Sequence, residues 1–258
     1  MLHKQYDKTN RILSSIICSA FALVIMLMPS QAYSSDAMTD DEYLLHAGMP
    51  IIEVQNMDPD IKHVIATDLQ QQNLPYKYIE TREIGKPYYT RLAAGLPNGL
   101  SGIRFYASSF KSGNNISIYP TYEFTDYKQP EGKDTFSIYF ADAVRPNTYG
   151  GQIWHKDQYM NDWRTTSSSK MIPTEVSLQG ANFSGQQLGN PDWKMKIKGC
   201  AWVHATVGDR NDKRIVVNYV YNPNKMNYSV SFNLGKFGFS IDPPEKVYST
   251  GTALSLSY

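Results

Sequence analysis

Cysteine is nearly absent from this 258-residue chain: Cys18 and Cys200 are the only two. Cys18 lies in an apolar segment near the N-terminus. Ser15, not leucine, stands three residues before it, so no lipid-attachment pattern is centred there. If that segment is removed, Cys200 is left alone and no intramolecular disulfide can form. A lone cysteine of this kind reads as a buried apolar residue, and stability has to come from burial. Charge of one sign is also lacking. The chain carries a formal net charge of +1, and no basic run exceeds Lys213-Arg214. A near-neutral protein has no general pull toward nucleic acid, so none is expected as a partner. There is no G-x-S-x-G, H-E-x-x-H, P-loop or G-x-G-x-x-G, and Gly99-Leu-Ser-Gly102 has the wrong spacing for a nucleophile elbow. Carboxylates are scattered, with no evident glycosidase pair. No catalytic residue is assigned and no cofactor is expected.

What is present begins at the N-terminus. Lys4, Lys8 and Arg11 precede 17 uncharged residues, Ile12 to Met28, followed by Pro29 and the small residues of Ser30-Gln31-Ala32. Basic, apolar and small, in that order, describe a secretory signal peptide cleaved after Ala32. The alternative is an uncleaved membrane anchor, since 17 residues sit at the lower edge of a spanning helix. Residues 1–32 carry those three cations against Asp7, so the mature part, 33–258, has a net charge of −1 by subtraction. No stable membrane span is expected after cleavage.

Aromatics make up 13% of the chain, with 19 tyrosines, and no long leucine-rich helical run occurs after residue 32. That balance suits the pleated, half-buried surfaces of β proteins. Residues 33–38 read as a disordered terminus. Thr39 with Glu42 forms a capping-box pattern and predicts a helix over about 41–47, ended by Gly48 and Pro50. Asp58-Pro59 predicts a second helix through about Gln72, with Ile61, Val64, Ile65 and Leu69 at helical spacing. Two such short helices cannot form a core alone, so a helical flank over 33–75 is expected to pack on the C-terminal remainder of the chain.

From Tyr76 the pattern changes to period two. Strands are predicted over 103–107, 116–119, 135–140, 195–207, 214–221, 228–234 and 253–256. The intervening turn groups are 111–115, 130–132, 208–212, 222–224 and 242–244. Thr165–Ser169 reads as a loop inside one domain. The expected fold is mainly β: an antiparallel β-sandwich or flattened barrel over 76–258, preceded by two short helices.

The segment Cys200–Val207 and the segment Arg214–Tyr221 read as a hairpin. Alternation places Cys200, Trp202, His204 and Thr206 on one face and Ala201, Val203, Ala205 and Val207 on the other. A turn near Arg210 brings Tyr219 and Tyr221 to the Trp202 face. The candidate ligand-binding residues are therefore Trp202, His204, Tyr219 and Tyr221, a platform unless buried under the other sheet or the helices. Cys200 and His204 do not form a nucleophilic dyad, because four residues along a strand span about 13 Å. A second cluster, Trp154-His155-Lys156-Asp157 with Asp162 and Trp163, reads as a polar surface turn after Gly150-Gly151. His155 and Asp157 alone are too few ligands for zinc. Asp209, Asn211 and Asp212 lack the glutamate of an EF-hand, since Val220 occupies its place. No metal site is assigned.

The signal segment, Tyr43-Leu-Leu-His-Ala-Gly-Met-Pro50, Lys62-His-Val-Ile65 and the β-rich remainder together resemble small exported proteins of spore-forming Gram-positive bacteria. The resemblance implies export and no particular activity. The expected function is non-catalytic binding of an envelope glycan or a protein partner, secreted or at the cell surface. The alternatives are a hydrolase with dispersed carboxylates and a membrane-active β protein, which needs a long alternating hairpin.

Overall fold

The structure, a computed structural model, describes residues 38–83, 102–127, 133–141, 143–165, 170–177, 180–186, 194–209, 214–221, 229–233, 238–242 and 248–255. The signal segment, the turns at 130–132 and 222–224 and most of those at 208–212 and 242–244 lie outside these residues. Among the described residues no helix is long and apolar enough to cross a membrane.

Three helices open the described chain: α1 (Asp40–His46), α2 (Ile51–Asn56) and α3 (Pro59–Gln71). The capping box forms as expected. Thr39 Oγ1 accepts from the Glu42 amide at 3.3 Å, and Glu42 returns a carboxylate oxygen to the Thr39 amide at 2.8 Å. Gly48, at φ +92°, takes the left-handed turn that releases the chain from α1. The next helix, α2, was not expected. The first helix ends before Gly48 and Pro50 as expected, and Pro50 also stands at the N-cap of a new one. Asp58 caps α3, its Oδ1 accepting from the amides of Asp60 and Ile61 at 3.0 and 3.4 Å, with Pro59 in the first turn.

The remainder is antiparallel β. One five-stranded sheet has the order β1 (Lys77–Glu83), β2 (Ile103–Ser112), β3 (Asn115–Phe124), β8 (Met195–Val207), β5 (Val144–Asp157). The other has the order β12 (Tyr248–Ser255), β9 (Arg214–Tyr221), β4 (Lys133–Phe140), β7 (Gly180–Gln186), β6 (Pro173–Ser177). A separate two-stranded ribbon joins β10 (Ser229–Asn233) to β11 (Gly238–Asp242). The two large sheets share one apolar core. Phe105, Ile118, Ala201 and Val203 of the first meet Ile138, Phe183, Ile215 and Val217 of the second. This is the expected sandwich, and neither large sheet closes into a barrel.

Two expectations are corrected. The segments 195–207 and 214–221 are strands with the predicted bounds, but they are not a hairpin. β8 pairs with β3 and β5, whereas β9 pairs with β4 and β12. The chain passes from one sheet to the other between them. Burial explains why: the small aliphatic face of β8 and the Ile215–Val217 face of β9 enclose the same core from opposite sides.

Gly150-Gly151, after which a surface turn was expected, lies in the middle of β5. Glycine is needed there for close approach. A β-carbon at residue 150 would overlap the indole of Trp202 on the paired strand β8.

Candidate functional site

Alternation gives the first sheet two unlike faces. The inner face supplies the aliphatic core. The outer face carries Phe110, Tyr119, Trp154 and Cys200, and α1–α3 cover it with Leu44, Val54, Ile61, Ile65 and Leu69. The helices thus flank the outer face of this sheet. Each of those five helical side chains is almost completely buried, and a buried Leu or Ile contributes about 1.5–3 kcal/mol.

Polar groups sit inside this helix–sheet layer. His204 on β8 is the centre of one set. Its Nδ1 lies 2.8 Å from Ser117 Oγ on β3, and its Nε2 lies 3.1 and 3.2 Å from the two carboxylate oxygens of Asp68 on α3. Since Asp68 can only accept, Nε2 carries the proton, and in the neutral ring Nδ1 accepts from the Ser117 hydroxyl. Tyr119 donates its hydroxyl to Asp68 Oδ2 at 2.7 Å, and the Gln72 amide stands 3.3 Å from Nε2. Burial, then the Asp68 charge, pushes the Tyr119 hydroxyl well above its ordinary pKa.

A Ser–His–Asp chain of contacts has the outline of a nucleophilic relay. Its position denies it substrate. Ser117 is 0% exposed and His204 5%, and Asp68 belongs to the helix that covers them. What the set does is fasten α3 to the sheet.

Lys198 is the centre of the second set. Its side chain is 1% exposed, and its ammonium reaches Asp58 Oδ1 at 2.5 Å and Asp60 Oδ2 at 2.6 Å. The ring of Trp163 lies 4.3 Å from it and that of Trp154 5.7 Å. Asp58 therefore caps α3 and pairs with the lysine at once. Cys200, one alternation further along β8, is completely buried, and burial pushes its thiol up to about 12. It stays a protonated, apolar filler, as its place in an apolar strand led us to expect.

The four predicted ligand residues are not brought together. Trp202 is half-buried at the margin of the helix–sheet core and His204 lies beneath α3. Tyr219 and Tyr221 belong to the other sheet, where they pair along the backbone with Phe136 and Tyr248 respectively. Their side chains lie outside the described residues. The Trp154–Trp163 cluster is corrected from a surface turn to the end of β5 and a returning loop. The loop is tied by reciprocal backbone bonds between His155 and Arg164 of 3.0 and 2.9 Å. Burial, then Arg164, holds the His155 imidazole below its usual pKa. Asp157 is buried and accepts from the Tyr159 amide at 2.7 Å. No group of three or more metal-ligating side chains occurs among the described residues. Asn211 and Asp212 lie outside them.

Sequence reasoning missed Asp68, Ser117, Tyr119 and Lys198. The available signal was Lys198 itself, a cation at an outward position of a strand flanked by apolar residues.

A cleft of about 110 Å³ opens on the flank between α2 and the β1–β2 edge, lined by Ile52, Glu53, Asn56, Met57, Arg104 and Tyr106 among others. Ile51 and Ile52 are each 60% exposed beside it. Glu53 accepts from Tyr78 at 2.6 Å. Arg104 pairs with Glu83 at 3.0 Å and lies 4.5 Å from the Tyr106 ring centre.

No protein-family model matches the chain, and no curated protein matches it. Among solved structures it is similar to the collagen-binding subdomain of the Enterococcus faecalis surface protein ACE. The identity is 5% and the TM-score 0.33, over 55% of this chain and 87% of that one. It is also similar to a collagen-binding domain from a Staphylococcus aureus adhesin, at 8% identity and TM-score 0.29, over 55% and 88%. A third similarity is to the Fap1 fimbrial protein of Streptococcus parasanguinis, at 11% identity and TM-score 0.34, over 68% and 94%. At such values nothing transfers from those proteins to this chain.

Proposed function

We propose that this is an exported protein that acts by binding a protein partner and not by catalysis. The burial of Ser117, His204, Cys200 and Lys198, among the described residues, carries the reading. The serine, imidazole, thiol and ammonium that are equipped for chemistry, Ser117, His204, Cys200 and Lys198, are each at most 5% exposed. His204 and Lys198 pair with carboxylates of α3 and its cap, and Ser117 is bonded to His204. A hydrolase needs such groups at a surface that substrate can reach. The order of basic, apolar and small residues over 1–32 supports export. A protein partner is favoured over a glycan because the expected aromatic platform is not assembled: Trp202 is half-buried beside the helix–sheet core and Tyr219 and Tyr221 belong to the other sheet. The exposed large apolar groups of the flank are instead aliphatic, Ile51 and Ile52 among them.

The test presents the purified protein to isolated envelope glycans and to intact envelope with its surface proteins. Saturable capture that protease treatment of the envelope abolishes is the expected result. Release of new reducing ends from the glycans, or capture by protein-free glycan alone, would overturn it.

A further inference from the structure

Burial denies Lys198 a substrate from outside the protein, yet it brings the lysine a carboxyl group from within. Its side chain is 1% exposed, and Nζ lies 2.5 Å from Asp58 Oδ1 and 2.6 Å from Asp60 Oδ2. An amine and a carboxyl group held in contact are the two halves of an amide, and fixing them in place removes much of the barrier to their joining. Three features set this contact apart from an ion pair such as Lys62–Asp41, where one acid that is 54% exposed meets the lysine. First, Asp58 is the cap of α3. Its Oδ1 already accepts from the amides of Asp60 and Ile61 at 3.0 and 3.4 Å. Those amides stand where charge gathers on that oxygen when a nucleophile adds to Cγ. Second, a further acid touches the same nitrogen. Asp60 is the more exposed of the two, at 43% against 19%, and suits proton transfer better than bond formation. Third, the rings of Trp163 and Trp154, 4.3 and 5.7 Å away, wall the lysine and limit the access of water, which a condensation has to expel.

From this geometry we propose that Lys198 and Asp58 condense to an amide, a covalent tie between β8 and the start of α3. The ion pair is the precursor. Lys198 Nζ, in contact with Oδ1 and so one bond from Cγ, yields a proton to Asp60 and adds to Asp58 Cγ through its lone pair. The Nζ–Cγ bond forms and the Cγ–Oδ2 bond breaks. Nitrogen loses two protons in all. Asp60 carries them to Oδ2, which leaves as water, and Asp60 ends as the carboxylate it was. Oδ1 stays as the amide oxygen and keeps the cap of α3. No co-reactant enters. The bond depends on the fold alone and not on what the protein binds. It supplies a staple that Cys200, buried and free, does not. Variants that lack either end of the bond lose it alike, so a comparison among them still reports charge and packing.

The test is the mass of the purified protein, unfolded before measurement so that ion pairs are broken. The expected mass is that of the chain less one water, and protease digestion should yield one branched peptide that contains both Asp58 and Lys198. Lys198→Met should show no such loss of water. Asp60→Asn alters a partly exposed position, and circular dichroism like that of the wild type will show that it folds. It should slow closure at least about a hundredfold, the usual contribution of a general acid–base group, read as the closed fraction against time after synthesis. The full mass of the chain, with Asp58 and Lys198 in separate peptides, overturns the proposal, and this result needs no variant. A missing water that is still missing in Lys198→Met also overturns it, because the loss would then lie elsewhere. A folded Asp60→Asn variant that closes as fast as the wild type overturns the proton transfer assigned to Asp60.

Discussion

The two faces of the first sheet come from the same strands and follow different rules. Its inner face is built from Ile116, Ile118, Ala201, Val203 and Ala205, side chains with no hydrogen-bonding demand. Its outer face is built from Ser117, Tyr119, Lys198, Cys200 and His204, and Tyr119, Lys198 and His204 each take a carboxylate partner from α3 or its cap. An aliphatic core is roughly tolerant of exchange at constant volume. A buried polar layer is not, since a lost partner leaves a desolvated group unpaired. The sheet therefore fixes where the sandwich forms through one face and where the helices dock through the other.

The most severe test of that contrast removes both acids from Lys198. Asp58→Asn with Asp60→Asn leaves an ammonium that is 1% exposed without a counter-charge, and should cost about 3–5 kcal/mol in chemical denaturation. Lys198→Met, which removes the charge as well, should cost much less. Equal losses in the two variants would mean that packing, not charge pairing, holds α3.

Neighbours on opposite faces sharpen the comparison. Tyr119→Phe deletes the hydroxyl that reaches Asp68 and should destabilise by about 1.5–3 kcal/mol, as for a hydrogen bond to a charged group. Ile118→Val, one residue away and facing the other sheet, should cost about 0.5–1.5 kcal/mol. Urea titrations of the two variants side by side give the ratio directly. A larger loss at Ile118 would reverse the assignment of the demanding face.

The mildest perturbation is alkaline pH. Tyr76, Tyr78, Tyr106 and Tyr119 all have hydroxyl pKa values raised by burial, and Asp68 or a neighbouring glutamate adds to the shift. A group whose folded pKa lies above its unfolded value contributes stability that is complete below the unfolded value, near ~10 for tyrosine. That stability is lost as pH rises toward the folded values. Thermal melts should therefore be unaffected by these tyrosines between about pH 7 and 9 and should fall above about pH 10. The part of the tyrosinate absorbance due to these four buried hydroxyls should appear together with unfolding and not before it.

Local features of this protein were legible without any tertiary information. Thr39 with Glu42 and Asp58 with Pro59 begin helices because a cap involves only the next three residues. The bounds of β8 and β9 came from period-two alternation, and so did the division of β8 into an aliphatic and an aromatic face. Other signals pointed the wrong way because they have two meanings. Pro50 ends one helix pattern and can begin the next. Gly150-Gly151 suits a nearby turn, yet inside β5 Gly150 makes room for the Trp202 ring and Gly151 for Met171.

What the sequence determined by itself is thus the two capped helices, the bounds of β8 and β9 and the division of β8 into two faces, since those depend on bonds and sterics within a few residues. The tertiary structure alone decided which strands became partners. It sent β8 and β9 to different sheets so that both of their aliphatic faces were buried, and thereby separated Trp202 and His204 from Tyr219 and Tyr221. It also gathered Asp68, Ser117 and His204 from three distant elements. No spacing rule connects residues so far apart, because their meeting is settled by the shape complementarity of whole surfaces.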